Sequence, residues 1–253
     1  MTAGDPNADS DNDGVPNLYE YREGLNPTAK DNDIFAVARL FAMQQYRDFL
    51  GREGDAGGIQ FYIDLLNGGV ARESVIESFL ASPEFASGLP QATRLYFSFF
   101  NRIPDYAGLL FQVAALRSGQ PLGAVAQNFY NSPEFTDTYG TLTNDQYITL
   151  VYQNVLGRAP DAAGYDYYKT RLDAGTLTKG QMMIGFSESP EFQQLTGNEV
   201  YANSLYVGLL RRAPDAAGLS YYAGLLDNGT PRSAIVPGFF NSPEYRGRFL
   251  PAP

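Results

Sequence analysis

The stretch "DSDNDGVPNLYE", Asp9 to Glu20, sets carboxylates at alternating positions and then breaks at a glycine. Asp9, Asp11 and Asp13 repel one another at that range, and an oxygen-seeking cation turns the repulsion into binding. The segment follows the calcium-loop template through its length: Asp9 at position 1, Asp11 at 3, Asp13 at 5, Gly14 at 6, Val15 at 7 through its carbonyl, Asn17 at 9 and Glu20 at 12, where a two-oxygen carboxylate closes the shell. The expected cofactor is Ca2+, held by Asp9, Asp11, Asp13, Val15, Asn17 and Glu20. Magnesium fits less well because it resists all-protein cages. Asp5, Asn7, Asp31 and Asp33 would be the donors of a second ion. The plainer alternative is an Asx-rich capped turn ahead of "NLYEY".

Four further sets of charged residues invite a chemical reading: Arg52, Asp55 and Glu84; Arg102, Asp105 and Glu134; Arg158, Asp161 and Glu191; Arg212, Asp215 and Glu244. Two carboxylates beside an arginine could perform general acid–base chemistry. Each set, however, recurs where a helix must begin. An Asp at an N-cap accepts a free amide of the first turn. In Ser-Pro-Glu, Ser caps, Pro needs no amide partner and Glu favours the positive end of the helix dipole. These residues are therefore expected to be structural caps and ion pairs, with no catalytic residue among them.

The elements behind these motifs are four copies of one unit. "SPEF" begins at residues 82, 132 and 189 and returns as "SPEY" at 242. The glycine of each Asp-x-x-Gly precedes the serine by 24 residues in three units and by 25 in the third, which marks one folded motif repeated. Tyr165, Tyr168 and Leu172, like Leu219, Tyr222 and Leu226, recur at helical spacing. Thr143 with Gln146 and Thr178 with Gln181 have capping-box spacing. The predicted fold is all-α: tandem helical-bundle repeats behind an N-terminal calcium-binding loop segment. The boundaries read as 1–33 for the acidic segment and 34–90, 91–140, 141–197 and 198–253 for the repeats. Residues 137–145 are the best junction between two pairs.

Composition narrows function. The 253 residues include neither Cys nor His, so disulfides, zinc–thiolate sites and His-dependent triads are excluded. With 18 basic and 28 acidic residues the net charge is −10, which disfavours nucleic acid and anionic membrane as partners. Residues 1–33 hold eight acids and two bases, so six of those ten excess negatives lie there. No apolar run is long enough for membrane insertion, and the N-terminus lacks a secretory signal pattern. Tyrosines such as Tyr165, Tyr167 and Tyr221 exceed what a core needs and could stack on sugars or join a protein interface.

The series "LGRAPDAAGYDYY" at 156–168, followed by Ser-Pro-Glu-Phe, resembles a bacterial domain of unknown function, family 4214, over roughly 35–245. The family places tryptophan four residues after the glycine, where this chain has Tyr62, Gln112, Tyr168 and Tyr222. The resemblance implies a small helical bundle, distantly similar to phycobilisome linkers, in large secreted or surface-attached proteins. "DPNADSDNDGVPNLYEYREGLNP" is similar to thrombospondin type 3-like calcium repeats of extracellular bacterial proteins. Together these give an expected extracellular or cell-surface module, non-catalytic and calcium-stabilised, serving as surface-layer, adhesin or assembly scaffold through contacts with other subunits or surface proteins. The alternatives are a calcium-dependent glycan-binding module of the cell envelope, with polysaccharide as partner, and a carboxylate-dependent hydrolase.

Overall fold

A computed structural model describes residues 5–249, and among them every regular element is helical. In chain order these are α1 Asn17–Glu23, α2 Ala38–Gln45 with a π-helical continuation Tyr46–Leu50, α3 Ala56–Asn67, α4 Arg72–Leu80, α5 Pro83–Ala86, α6 Leu89–Phe100, α7 Tyr106–Arg117 and α8 Leu122–Tyr130. There follow α9 Pro133–Tyr139, α10 Asn144–Leu156, α11 Ala162–Asp173, α12 Lys179–Ser187, α13 Pro190–Leu210, α14 Ala216–Asp227, α15 Arg232–Phe240 and α16 Pro243–Arg246.

The helix caps read from the sequence are formed. Asp55, Asp105, Asp161 and Asp215 each accept from the amide of the glycine three residues on, at 2.9, 2.7, 2.9 and 2.7 Å. Ser82, Ser132, Ser189 and Ser242 accept from the amide of the aromatic that ends each Ser-Pro-Glu phrase. Both capping boxes, Thr143–Gln146 and Thr178–Gln181, are complete.

The Asp-x-x-Gly glycine has a second cause. A Cβ on Gly58, Gly108, Gly164 or Gly218 would lie 2.1, 2.7, 2.1 or 2.3 Å from the hydroxyl of Tyr46, Tyr96, Tyr152 or Tyr206. The arginine six residues after each tyrosine lies over that same ring, at 5.1, 4.9, 5.5 and 5.0 Å from its centroid. The motif is thus a small assembly in which Asp caps the helix, Gly admits a tyrosine and Arg covers the ring. Gly164→Ala is expected to lower stability by about 1–3 kcal/mol through overpacking. Tyr152→Phe in the same chain should restore much of the loss, since it removes the clashing oxygen. Thermal melts of the double-mutant cycle check this, and strictly additive losses would contradict the contact.

The described residues form two compact units. One comprises the N-terminal part through Phe85 together with Gly208–Leu210 and the segment from Gly229 onward. In it α4 packs on α15, and Phe35, Phe41, Phe240, Tyr245 and Phe249 form an aromatic cluster with centroid separations of 5.0–6.3 Å. The other comprises Ala86–Val207 and Arg211–Asn228. Its tightest pairing is α8 with α12, where Gly180 comes so close to Ala126 and Gln127 that a Cβ would meet backbone atoms at 2.4–2.9 Å. Arg94 pairs with Glu188 through both carboxylate oxygens, and buried Asn203 donates to Thr93 at 3.1 Å. Residues 137–145 lie inside this unit. The boundaries read at 90/91 and 197/198 fall within α6 and α13, which run through them unbroken.

Candidate metal centre

Residues 5–33 fold against their own unit through specific contacts. Arg39 on α2 grips Glu23 of α1 with bonds of 2.6 and 2.9 Å, and Arg47 lies over the Tyr19 ring at 5.6 Å. The loop ahead of α1 is shaped by its own carboxylates. Asp9 accepts from the amides of Asp13 and Gly14 at 3.1 and 2.9 Å, Asp11 from Asp13 at 3.0 Å, and Asp13 from Val15 at 3.0 Å. The turn at Gly14 has φ 95°, the left-handed region that glycine occupies without strain. The chain is thereby folded so that alternating side chains converge.

Two trios of carboxylates result, Asp9–Asp11–Asp13 and Asp13–Glu20–Asp31, and in each the candidate ligand oxygens lie within 4.8 Å of one another. Oxygens on opposite sides of one calcium ion are about 4.6–5.2 Å apart, so either trio fits around such an ion. Asp13 is common to both. Glu20 is fully buried, and neither of its oxygens meets a hydrogen-bond donor; Oδ2 of Asp11 is likewise buried and unpartnered. Burial first, then the charges of Asp11, Asp13, Asp9 and Asp31, pushes the Glu20 carboxyl up to about 7. Burial and then the Asp11 charge push Asp13 up to about 6, against the lowering effect of the Val15 and Asn32 amides. Burial also raises Asp11. A carboxylate removed from water without a donor is costly unless a cation meets it, and the donor set here is all hard oxygen.

The remaining candidate ligands are placed differently. Asn17 accepts from the amide of Ser10 at 3.2 Å and donates to the carbonyl of Asp5 at 2.8 Å, so its carboxamide ties the loop together. Val15 is buried directly after the turn. Asp5 accepts from the Asn7 amide, and Asp33 accepts from the amides of Phe35 and Ala36. Among the described residues, neither Asp5 nor Asp33 belongs to a carboxylate trio, whereas Asp31 joins Asp13 and Glu20. The loop is also wired inward. Asp13 accepts from the amide of buried Asn32 at 3.1 Å, Asn32 donates to Gln44 at 3.3 Å, Gln44 to Asp48 at 2.9 Å, and Asp48 is held by Arg248 at 2.8 Å.

Caps, ion pairs and ring contacts engage the Arg–Asp–Glu sets. Arg52 forks onto Glu84 at 2.6 and 2.7 Å, and Arg102 onto Glu134 at 2.6 and 2.9 Å. Arg158 reaches Asp161 and Glu191 at a looser 3.8 Å. Arg212 covers Tyr206, Asp215 caps α14 and Glu244 lies in the first turn of α16. What the sequence reading missed is the tyrosine at each set, although a Tyr six residues before the Arg is visible in all four sets.

An all-helical chain with capped, recurring motifs and an acidic loop is a helical-repeat type of protein. More specifically, it belongs to the family described as Domain of unknown function (DUF4214), whose model matches residues 36–89, 126–196 and 194–249. The acidic loop lies outside these matched segments. Comparison with curated proteins and with solved structures found no match. No described helix is long and apolar enough to cross a membrane.

Proposed function

We propose that this chain is a calcium-stabilised, non-catalytic module of the bacterial exterior, built from four family repeats and acting as a surface-layer, adhesin or assembly scaffold. The observation that carries the reading is Glu20: a fully buried carboxylate with no donor on either oxygen, at the closing position of a calcium-loop template and in one trio with Asp13 and Asp31. Asp9, Asp11 and Asp13 would supply the other side of the shell, and the bound ion would neutralise the charge that otherwise accumulates there. A site of the order of 10⁻⁴ M stays filled in millimolar extracellular calcium and empties in the cytosol, so loading would follow export. The non-catalytic part rests on the caps and ion pairs that engage the candidate acids in copy after copy.

Hydrogen exchange tests the proposal. Adding calcium to chelator-treated protein is expected to slow exchange of amides across residues 9–33, those of Asp13, Gly14 and Val15 most. Identical exchange with and without calcium would count against it. The glycan-binding alternative draws support from a different observation, the aromatic rings left on the surface.

A further inference from the structure

Lys30, Asp31 and Asn32 are consecutive, and each is attached to something different. Asp31 belongs to the carboxylate trio with Asp13 and Glu20. Its two neighbours reach the other end of the chain. Lys30 donates from Nζ to the carbonyl of Gly247, the residue that closes α16, at 3.0 Å. Buried Asn32 donates its side-chain amide to Gln44, and Gln44 donates to the fully buried carboxylate of Asp48. Arg248 holds both oxygens of Asp48, at 2.8 and 3.3 Å, and the Tyr245 hydroxyl donates to it at 3.3 Å. Arg248 also donates to the carbonyl of Leu209 near the end of α13.

The next residues continue the same contact. Ile34 is fully buried, and its carbonyl accepts from Arg72 of α4 at 3.1 Å. Phe35 meets Phe240, Tyr245 and Phe249 at 5.2, 6.1 and 6.3 Å, with the Arg246 guanidinium 4.1 Å from its centroid. Residues 30–35 are therefore a strap, with a candidate metal ligand at its head and the segment 240–249 along its length. All of these groups lie in one compact unit, which is built from the two ends of the chain. Joining segments so far apart costs loop-closure entropy, so this unit gains most from a device that holds it shut.

We propose that calcium is a clasp on the two ends of the chain: by drawing Asp31 onto Asp13 and Glu20, it seats the strap 30–35 against residues 240–249. This rests on reading the acidic loop as a calcium site and names what loading does to the fold. Asp31 meets the other two carboxylates only when the strap is seated, so an ion held by all three binds the closed arrangement more tightly than an open one. That difference in affinity is what shifts the population toward closure. Without the ion, like charges push Asp31 outward, and Lys30 and Asn32 move with it. The other unit, with its α8–α12 pairing, contains none of these contacts and does not respond.

Hydrogen exchange of the full chain, resolved by peptide in chelator and in about 1 mM calcium, tests this on wild type, on Lys30→Ala and on Lys30→Ala with Asn32→Ala. Neither change removes a carboxylate, and the Asn32 main-chain amide that donates to Asp13 is kept. In wild type, calcium is expected to slow exchange about tenfold at residues 13–15 and also at 240–249, the ratio of the ion to a dissociation constant near 10⁻⁴ M, while α8 and α12 stay unchanged. In the double variant the slowing at 13–15 should persist and that at 240–249 should be lost. Lys30→Ala alone, a surface change, should lose part of it and carries the comparison if the buried change prevents folding. Slowing at 13–15 with none at 240–249 in wild type would overturn the clasp and leave the calcium reading standing. Equal slowing in α8 and α12 would overturn it by showing one global effect, and variants that respond as wild type does would overturn it by removing the strap as the route. No slowing at any of these residues ends the calcium reading and the clasp together.

Discussion

Between chelator and 10 mM calcium, wild type is expected to gain about 2.7 kcal/mol of stability over Glu20→Gln, the linkage energy of a ligand at a hundred times a dissociation constant near 10⁻⁴ M. In chelator the order should reverse or the difference vanish. Without an ion the wild-type carboxylate is buried, undonated and repelled by Asp11, Asp13, Asp9 and Asp31, and the neutral amide relieves all of that. The change of sign between the two conditions is the informative result. A merely structural glutamate would lose similar stability in both. Denaturant titrations of the two proteins, each with and without calcium, read the four values.

The second large effect belongs to the contact between α8 and α12. Gly180→Ala would put a Cβ 2.4 Å from the backbone nitrogen of Gln127 and 2.7 Å from its Cα. Unlike a tyrosine tip, these atoms cannot swing away, so the helices must separate and the Gly180 amide must leave the Gln127 side chain, now 2.9 Å distant. A loss of about 3 kcal/mol is expected, at the upper end of overpacking. Gly197→Ala is the control. It lies within α13 with nothing within 4 Å of the added methyl, so helix propensity should raise stability by about 0.5–1 kcal/mol. Melting curves showing the same sign for both substitutions would refute the packing described for α8 and α12.

Much of this architecture was legible because it is local. A cap needs only an aspartate, serine or threonine and an amide three residues away, so the starts of α9, α10, α11, α12 and α14 could be read from sequence. The acidic loop was legible for the same reason, since Asp9 to Glu20 is one turn of chain ending in the first turns of α1. Asp31 was not. It reaches Asp13 and Glu20 only after the chain has passed through α1 and returned, and a template written along the sequence cannot register that return. Asn17 shows the converse, with a template position whose side chain is engaged by Ser10 and Asp5. The pairings α4–α15 and α8–α12 join segments far apart in the chain, which periodicity does not encode. The boundary at 197/198 was misplaced for a physical reason: Gly197 and Asn198 read as a helix stop, yet the helix opened by Ser189 carries them in its interior and continues through Leu210 as α13.

Calorimetric titration of calcium into the chelator-treated full chain decides whether the acidic loop holds an ion. Saturable binding in the acidic loop is expected, abolished by Glu20→Gln and left intact by Asp33→Asn, because Asp33 belongs to neither carboxylate trio. No heat of binding in the wild type, or indistinguishable isotherms for wild type and Glu20→Gln, would contradict it.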